Sequence, residues 1–188
     1  MAIWLVMSTP ITPSDVVAFW KEAGPTKWFA KDDAFDAEFR RRFEAAHFAA
    51  ARRELDDWAG TAEGALALLI LLDQFPRNSY RGTGHAFATD PLARSFAIRA
   101  IEAGQDREID NALRRFVYLP LQHSEAPADQ DRQVALFQTM ERAEGDRWAE
   151  HHHGIIARFG RFPHRNRALG RETTAEEQAF LDADGFGG

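Results

Sequence analysis

Apolar residues recur along this chain at spacings of three and four, which is the period of an amphipathic helix. The clearest run lies on one stripe of a predicted second helix that begins near residue 33: Phe35, Phe39, Phe43, Ala46 and Ala50. Strict alternation of polar and apolar residues, the pattern of a half-buried strand, is absent. The pattern therefore predicts an all-α protein of about seven to eight helices, with short connections between antiparallel neighbours.

The longest apolar run predicts the centre of the fold. The eight residues from Ala65 to Leu72 are all apolar, and at 100° per residue they cover nearly every side of a helix. Such a helix is surrounded by protein. We predict that it begins after Thr61, carries Asp73 in its last turn and is ended by Pro76, with a loop at residues 78–84.

Capping residues and helix breakers define the other predicted helices. Thr12 caps the first helix, and Gly24 ends it. Asp90 caps another helix that has Pro91 in its first turn and ends at Gly104. The remaining helices are predicted at about 108–118 (with Pro120 kinking or ending it), 129–143 and 146–159 (followed by a stop at Gly160), with a last helix introduced by Thr173 and Glu176.

Composition narrows the class of protein. The chain has 188 residues, 45% of them hydrophobic, and a net charge of −6, which is typical of one globular domain spanning residues 1–188. The acidic balance argues against a nucleic-acid partner, and the longest apolar run is too short for a membrane partner. Without cysteine there is no disulfide, thiolate nucleophile or Cys-based metal site. We expect a cytoplasmic location and a flexible N-terminal extension at residues 1–11.

Three long strings resemble a known family: LLDQFPRNSYRGTGHAFATDPLA (Leu71 to Ala93), YLPLQHSEAPADQDRQVALF (Tyr118 to Phe137) and IIARFGRFPHRNRALGRETTAEEQAFL (Ile155 to Leu181). They are similar to the bacterial domain-of-unknown-function family numbered 924, and the resemblance covers nearly the whole chain. It implies an all-helical, tetratricopeptide-like fold, either a bundle or a short solenoid of helical hairpins. It implies no activity and supplies no catalytic residues.

Residues 151–171 form a basic segment in an acidic protein. They include five arginines and no Asp or Glu. A guanidinium group binds carboxylates and phosphates in a planar, bidentate way, so the segment either pairs with acids of this chain or binds an anionic ligand. The candidate internal partners are Asp73, Glu125, Asp129 and Asp131. The candidate anion-binding residues are Arg77, Asn78, Arg158, Arg161, Arg165 and Asn166.

Asp73 has a position that calls for a partner. A carboxylate at the carboxyl end of a helix surrounded by apolar side chains is disfavoured by the helix dipole and by the low dielectric. Arg77, Asn78 and residues 161–166 are the candidates to compensate it within a structural polar cluster. The similarity of QFPRN at residues 74–78 to RFPHRN at residues 161–166 predicts that the two turns face each other.

The connection at residues 123–128 carries candidate catalytic groups. His123 paired with Glu125 is either a general base or an oriented structural histidine, and His164 is a further acid/base candidate. A serine hydrolase is not indicated, because the chain has no GxSxG turn.

Two Glu-x-x-His matches raise the possibility of a metal site. They are Glu44 with His47 and Glu150 with His153. The helical phase directs both glutamates away from the apolar faces, so we predict no metal and no other cofactor. His151 and His152 instead read as core or interface histidines.

Two hypotheses about function remain. The first is a tetratricopeptide-like binding or scaffold module for a peptide or protein, with a groove lined by Arg77, Arg161 and Arg165. The second is an enzyme that acts on a small anionic molecule, with His123 and His164 as acid/base groups and the arginines as an anion clamp.

Overall fold

The structure, a computed structural model, describes residues 10–140 and 144–184. Within these residues the chain forms eight separate helices and no strand, which confirms the all-α prediction. Most of the predicted N-terminal extension lies outside the described residues. The helices are α1 (Pro13–Trp28), α2 (Asp33–Ala51), α3 (Ala62–Leu69), which continues through a π-helical segment (Ile70–Gln74) into α4 (Phe75–Ser79), α5 (Asp90–Glu102), α6 (Asn111–Gln122), α7 (Pro127–Phe137), α8 (Glu144–Phe159) and α9 (Ala175–Asp184).

The first helix is capped as the sequence predicts. The Thr12 hydroxyl accepts a hydrogen bond from the Asp15 amide, and the Asp15 carboxylate accepts one from the Thr12 amide at 2.8 Å. Gly24 interrupts this helix in the predicted left-handed conformation, but a further helical turn follows it. Gly24 has a φ of +70° and kinks α1, but Pro25 has the backbone angle of a first helical turn, so the helix resumes and reaches Trp28.

α3 is the central helix of the main core, as predicted. Every residue from Gly64 to Pro76 is buried, and α3 packs against α1, α5 and α6. Aromatic rings fill the space around it: Trp20 lies 5.3 Å from Phe39 and 5.3 Å from Phe116, measured between ring centroids. The predicted stripe of α2 faces this core and is buried along its whole length.

The prediction that Pro76 ends the central helix, with a loop from residue 78, is wrong. The Phe75 amide donates to the carbonyl of Ile70, five residues earlier, and this π-helical turn lets the helix continue through Pro76 to Ser79. The carbonyls of Leu71 and Leu72 accept hydrogen bonds from side chains instead: His47 Nδ1 at 2.9 Å and the Thr89 hydroxyl, respectively. Asp73 consequently lies inside a continuous helix and not in its last turn.

Two further predictions about helix ends need correction. Thr89, and not Asp90, occupies the position before the first turn of α5, and the Asp90 carboxylate accepts a hydrogen bond from Arg77. Pro120 does not end α6, which runs on to Gln122. The proline removes one backbone bond near the end of the helix, and the last turn still closes through the His123 amide and the Leu119 carbonyl at 2.8 Å.

The C-terminal segment, residues 160–184, shares a small core with the end of α8. Ile155, Ile156, Phe162 and Phe180 form a cluster separate from the main core. Gly160, with a φ of +67°, ends α8 as predicted and turns the chain into this segment. Among the helices that the structure describes, none combines the length and apolar character needed to cross a bilayer.

Candidate functional site

A polar cluster lies where the C-terminal segment meets the main body. We call it the Asp73 cluster and define it by its five charged or titratable members: Asp73, Arg77, Asp90, His123 and Arg165. They come from the π-helical segment, α4, the first turn of α5, the end of α6 and the C-terminal segment. Distant parts of the chain therefore meet at one point.

Asp73 is the most buried member, with a side chain only 1% exposed. Its Oδ1 lies 2.7 Å from His123 Nδ1 and 3.0 Å from Arg77 Nη1, and its Oδ2 accepts a hydrogen bond from Gln74 Nε2 at 2.6 Å. Burial alone would raise the pKa of Asp73, but the charges and hydrogen bonds of Arg77, His123 and Gln74 outweigh it and lower the pKa to about 2. The carboxylate is therefore ionised at neutral pH.

Arg77 joins two carboxylates. Its Nη1 and Nη2 donate to Asp90 Oδ1 and Oδ2 at 2.8 and 2.9 Å, a bidentate pair, and Nη1 also donates to the backbone carbonyl of Asp73 at 2.9 Å. Burial opposes its charge, but Asp73 and Asp90 raise the pKa of Arg77 above its ordinary value. Arg77 thus remains a cation at the centre of the cluster.

Arg165 is held mainly by aromatic rings. Its guanidinium lies 4.8 Å from the ring centroid of Phe87 and 4.5 Å from that of Phe162, and its side chain is 7% exposed. Its hydrogen bond within the described residues runs from Nη1 to Asp90 Oδ2 at 3.3 Å, and its buried Nε has no partner there. Burial and the nearby charge of Arg77 lower the pKa of Arg165 to about 10, so it stays protonated at neutral pH.

His123 faces Asp73 through Nδ1. Because an ionised carboxylate only accepts hydrogen bonds, Nδ1 carries the proton and Nε2 of the neutral ring is the acceptor. The side chain is 14% exposed, and no hydrogen bond to Nε2 is found within the described residues. Burial and Arg77 hold the pKa of His123 below its usual value.

Two more histidines lie beside the cluster. The His152 ring centroid is 6.3 Å from that of His123, and the Phe162 ring lies 5.5 Å from His152 and 5.6 Å from His164. Burial lowers the pKa of His152 and of His164 to about 3 in each case. Both rings are neutral at pH 7.

Glu125 is engaged by the C-terminal segment and not by His123. It accepts two hydrogen bonds from Arg171, at 2.8 and 3.0 Å, and one from the Phe162 amide at 2.8 Å. Burial alone would raise the pKa of Glu125, but these hydrogen bonds hold it below its usual value. The carboxylate that contacts His123 in the structure is Asp73.

The structure brings together only part of the predicted anion-binding set. The two turns that were predicted to face each other do meet, since Arg77 and Arg165 both contact Asp90. The other four candidates bind acidic side chains away from the cluster. These contacts are Asn78 with Asp36, Arg158 with Glu176, and Arg161 and Asn166 with Glu177.

The arginines of the basic segment pair with acidic residues of the same chain, but mostly with residues that the sequence did not indicate. Among the four candidate acids, Asp73 meets Arg77 and Glu125 meets Arg171. Asp129 instead pairs with Arg94, and Asp131 with His153. Among the described residues, the ion pair of Asp73 with an arginine is with Arg77, whereas Arg165 of the basic segment pairs with Asp90.

Asp90 and Phe87 are members of the site that the sequence did not reveal. The Asp-Pro pair at residues 90–91 is typical of a helix start. The sequence therefore suggested a capping role for Asp90 and did not indicate that its carboxylate contacts Arg77. The spacing of Arg77 to Asp73, four residues on a helix, was the one local signal for this cluster.

The Glu-x-x-His motifs do not form a metal centre. Glu44 accepts hydrogen bonds from Arg40 and Tyr80, while His47 Nε2 contacts His85 Nε2 at 3.1 Å. Across the part of the chain that the structure describes, no three His, Asp or Glu side chains are arranged to hold a metal ion.

Comparison with known proteins places this all-helical chain in a family. Residues 16–185 match the family described as bacterial protein of unknown function (DUF924), and the chain belongs to it, which confirms the resemblance. The chain is also similar to a solved structure, that of the protein of unknown function ATU0120 from Agrobacterium tumefaciens. The two share 56% identity over 90% of this chain and 96% of that chain, with a TM-score of 0.88. No curated protein matches the chain.

Proposed function

We propose that this protein is a binding module that takes a small anionic molecule at the Asp73 cluster, through Arg77 and Arg165. The observation that carries the proposal is the state of Arg165: a cation 7% exposed, with one 3.3 Å hydrogen bond and a buried Nε without a partner among the described residues. A buried donor without an acceptor costs about 1–3 kcal/mol. A carboxylate or phosphate supplies paired acceptors that match a guanidinium.

The Asp73 cluster is partly exposed along one edge. His123, Arg77 and Asp90 are 14%, 17% and 16% exposed, so one edge of the cluster reaches the surface. An anion at this edge would meet the two guanidinium groups. A peptide that presents a carboxylate is the partner alternative, because it offers the same chemistry.

The scaffold in this proposal is tetratricopeptide-like. Consecutive helices pack each on the next from α5 through α8, as they do in stacked helical hairpins. This packing supports a repeat-like scaffold that presents the Asp73 cluster, and the family resemblance points in the same direction.

Thermal unfolding with added anions tests the proposal. The probes are sulfate, phosphate and acetate, each compared with chloride at equal ionic strength so that general salt effects cancel. A ligand at about 100 times its Kd stabilises the folded state by about 2.7 kcal/mol. For a chain of this size, that corresponds to a rise in Tm of roughly 5–10 °C.

A matched pair of arginine variants locates the effect. Arg165→Met keeps an apolar stem between the two phenylalanine rings but removes the charge, and should abolish the shift. Arg41→Gln removes a surface arginine that pairs with Glu38, away from the Asp73 cluster, and should keep the shift. If none of the three anions raises Tm, or if Arg165→Met responds like the wild type, the proposal is overturned.

A second candidate function, an enzyme acting on a small anionic substrate, is favoured by the 2.7 Å contact between Asp73 and His123. A carboxylate that accepts from Nδ1 orients the imidazole and leaves Nε2 to accept a proton from substrate. Burial lowers the pKa of His164 to about 3 and also holds the pKa of His123 below its usual value, so the choice of His123 as the acid/base candidate rests on its contact with Asp73.

The enzyme hypothesis has its own test. Hydrolysis of a panel of phosphate and carboxylate esters is measured for the wild type and for His123→Asn, whose amide keeps a donor for Asp73 but cannot take a proton. Turnover by the wild type that falls by about 100-fold or more in the variant supports the hypothesis. Equal rates in the two proteins reject it.

A further inference from the structure

We propose that the Asp73 cluster takes up one proton together with its anion and that His123 receives this proton. The inference rests on the proposed anion binding and specifies how pH regulates that same site.

The positive and negative charges of the Asp73 cluster balance each other. Asp73 and Asp90 carry two negative charges, and Arg77 and Arg165 carry two positive charges in contact with them. Glu125 and Arg171 cancel each other in the same way at the edge of the cluster. An anion that enters this balanced and largely buried set adds a negative charge that nothing compensates, which is costly in a low dielectric.

The groups that face His123 determine whether its ring can carry a positive charge. Asp73 and Asp90 favour the protonated ring, whereas Arg77 opposes it. Gln130 of α7 contributes only a neutral amide, which donates to the backbone carbonyls of Gln122 and Ser124. By element, the titratable and charged neighbours are Asp73 from the π-helical segment, Arg77 from α4, Asp90 from α5, His152 from α8 and His164 from the C-terminal segment.

His123 is better placed to receive the proton than His152 or His164. Its ring nitrogen lies 2.7 Å from a buried, ionised carboxylate, so a charged ring would have its counter-ion already in place. In the empty protein, burial and the charge of Arg77 oppose protonation. An anion bound to Arg77 and Arg165 offsets the positive field of Arg77, so anion binding favours protonation of the His123 ring.

Calorimetry of sulfate binding to the full chain tests the coupling. Sulfate is the probe because it does not titrate between about pH 5.5 and 8, the range in which histidine changes charge. Titrations at one pH in two buffers of different ionisation enthalpy count the protons exchanged. We expect uptake approaching one proton per sulfate, and an affinity that rises as pH falls by up to about tenfold per pH unit.

Two histidine variants identify the acceptor. His123→Asn keeps a donor to Asp73, so it should bind sulfate with little dependence on pH and without uptake of a proton. His153→Asn alters a surface histidine paired with Asp131 and should behave like the wild type. The two-buffer titration of the wild type remains decisive if His123→Asn fails to fold.

The possible results separate the two proposals. Sulfate binding with no proton uptake and a constant affinity overturns this inference and leaves anion binding standing. Undiminished uptake in His123→Asn overturns the assignment to His123. Absence of sulfate binding at every pH, with phosphate and acetate also without effect, removes both proposals.

Discussion

Asp73 keeps a full negative charge in a side chain that is 1% exposed. It does so because Arg77 is on the next turn of the same helix and His123 comes from a helix end about fifty residues away. The need for a compensating cation could be predicted from the apolar neighbours of Asp73, and Arg77 from its spacing. The contact with His123 could not, because it depends on how α6 packs beside the π-helical segment.

Replacing Asp73 tests its contribution to stability. Asp73→Asn should lower the free energy of unfolding by about 3–5 kcal/mol at neutral pH, because Arg77 would lose one of its two buried carboxylates. Urea unfolding measures the change. The matched control is Asp57→Asn, an exposed carboxylate, which should change stability by less than about 0.5 kcal/mol.

The same variant has a defined pH dependence. The folded-state pKa of Asp73, about 2, lies below the ordinary value of 3.8, so its contribution is complete above 3.8 and is lost as pH falls through 2. This difference corresponds to about 2 kcal/mol. The stability gap between the wild type and Asp73→Asn should narrow by that amount between neutral pH and about pH 2; a constant gap would contradict the role assigned to the charge.

At the scale of elements, the π-helical segment accounts for how the central helix passes Pro76. In the sequence, Pro76 predicts the end of the central helix, since a proline lacks the backbone amide and clashes with the preceding turn. The structure avoids the stop by widening one turn and by supplying side-chain donors to the freed carbonyls. Those donors, His47 and Thr89, come from other helices or their ends, so no local pattern could have indicated them.

Thr89→Val tests this compensation. The two side chains have similar shape, so the change removes mainly the hydroxyl that donates to the buried Leu72 carbonyl, and stability should fall by about 1–3 kcal/mol. Thr83→Val is the control, because Thr83 makes the same kind of bond, to the Tyr80 carbonyl, at an exposed position. A loss of equal size in both variants would show that the π-helical turn does not depend on Thr89.

The start of α3 requires a residue without a side chain. A Cβ at Gly64 would lie 2.0 Å from the backbone carbonyl oxygen of Trp58, in the turn that packs against α3. Gly64→Ala should therefore destabilise the protein by roughly 1–3 kcal/mol or more. Gly154→Ala, in α8 with no atom within 4 Å of the added carbon, should instead stabilise it by up to about 1 kcal/mol. Equal effects in thermal unfolding would contradict this reading of the contact.

For the whole molecule, the main division is between the large core around α3 and the small core that the C-terminal segment shares with the end of α8. The all-α class and most helix positions could be predicted because each helix buries a stripe that its own sequence displays. The way the two parts meet could not, since it depends on single polar contacts such as Arg165 with Asp90. The candidate site lies at this junction, so the ligand-binding proposal depends on how firmly the C-terminal segment is held.

Glu125 joins the two parts, because it receives both Arg171 and the Phe162 amide from the C-terminal segment. Glu125→Gln removes the charge from a pair that is partly exposed, which is worth about 1 kcal/mol and corresponds to about fivefold in a local opening equilibrium. Amide hydrogen exchange should therefore become about fivefold faster across residues 162–181 and stay unchanged in α3. Glu54→Gln, which breaks a surface pair with Arg52, should leave both regions unchanged. Faster exchange in α3 as well would mean that the C-terminal segment and the main core open as one unit, and that the Asp73 cluster lies inside a single cooperative structure.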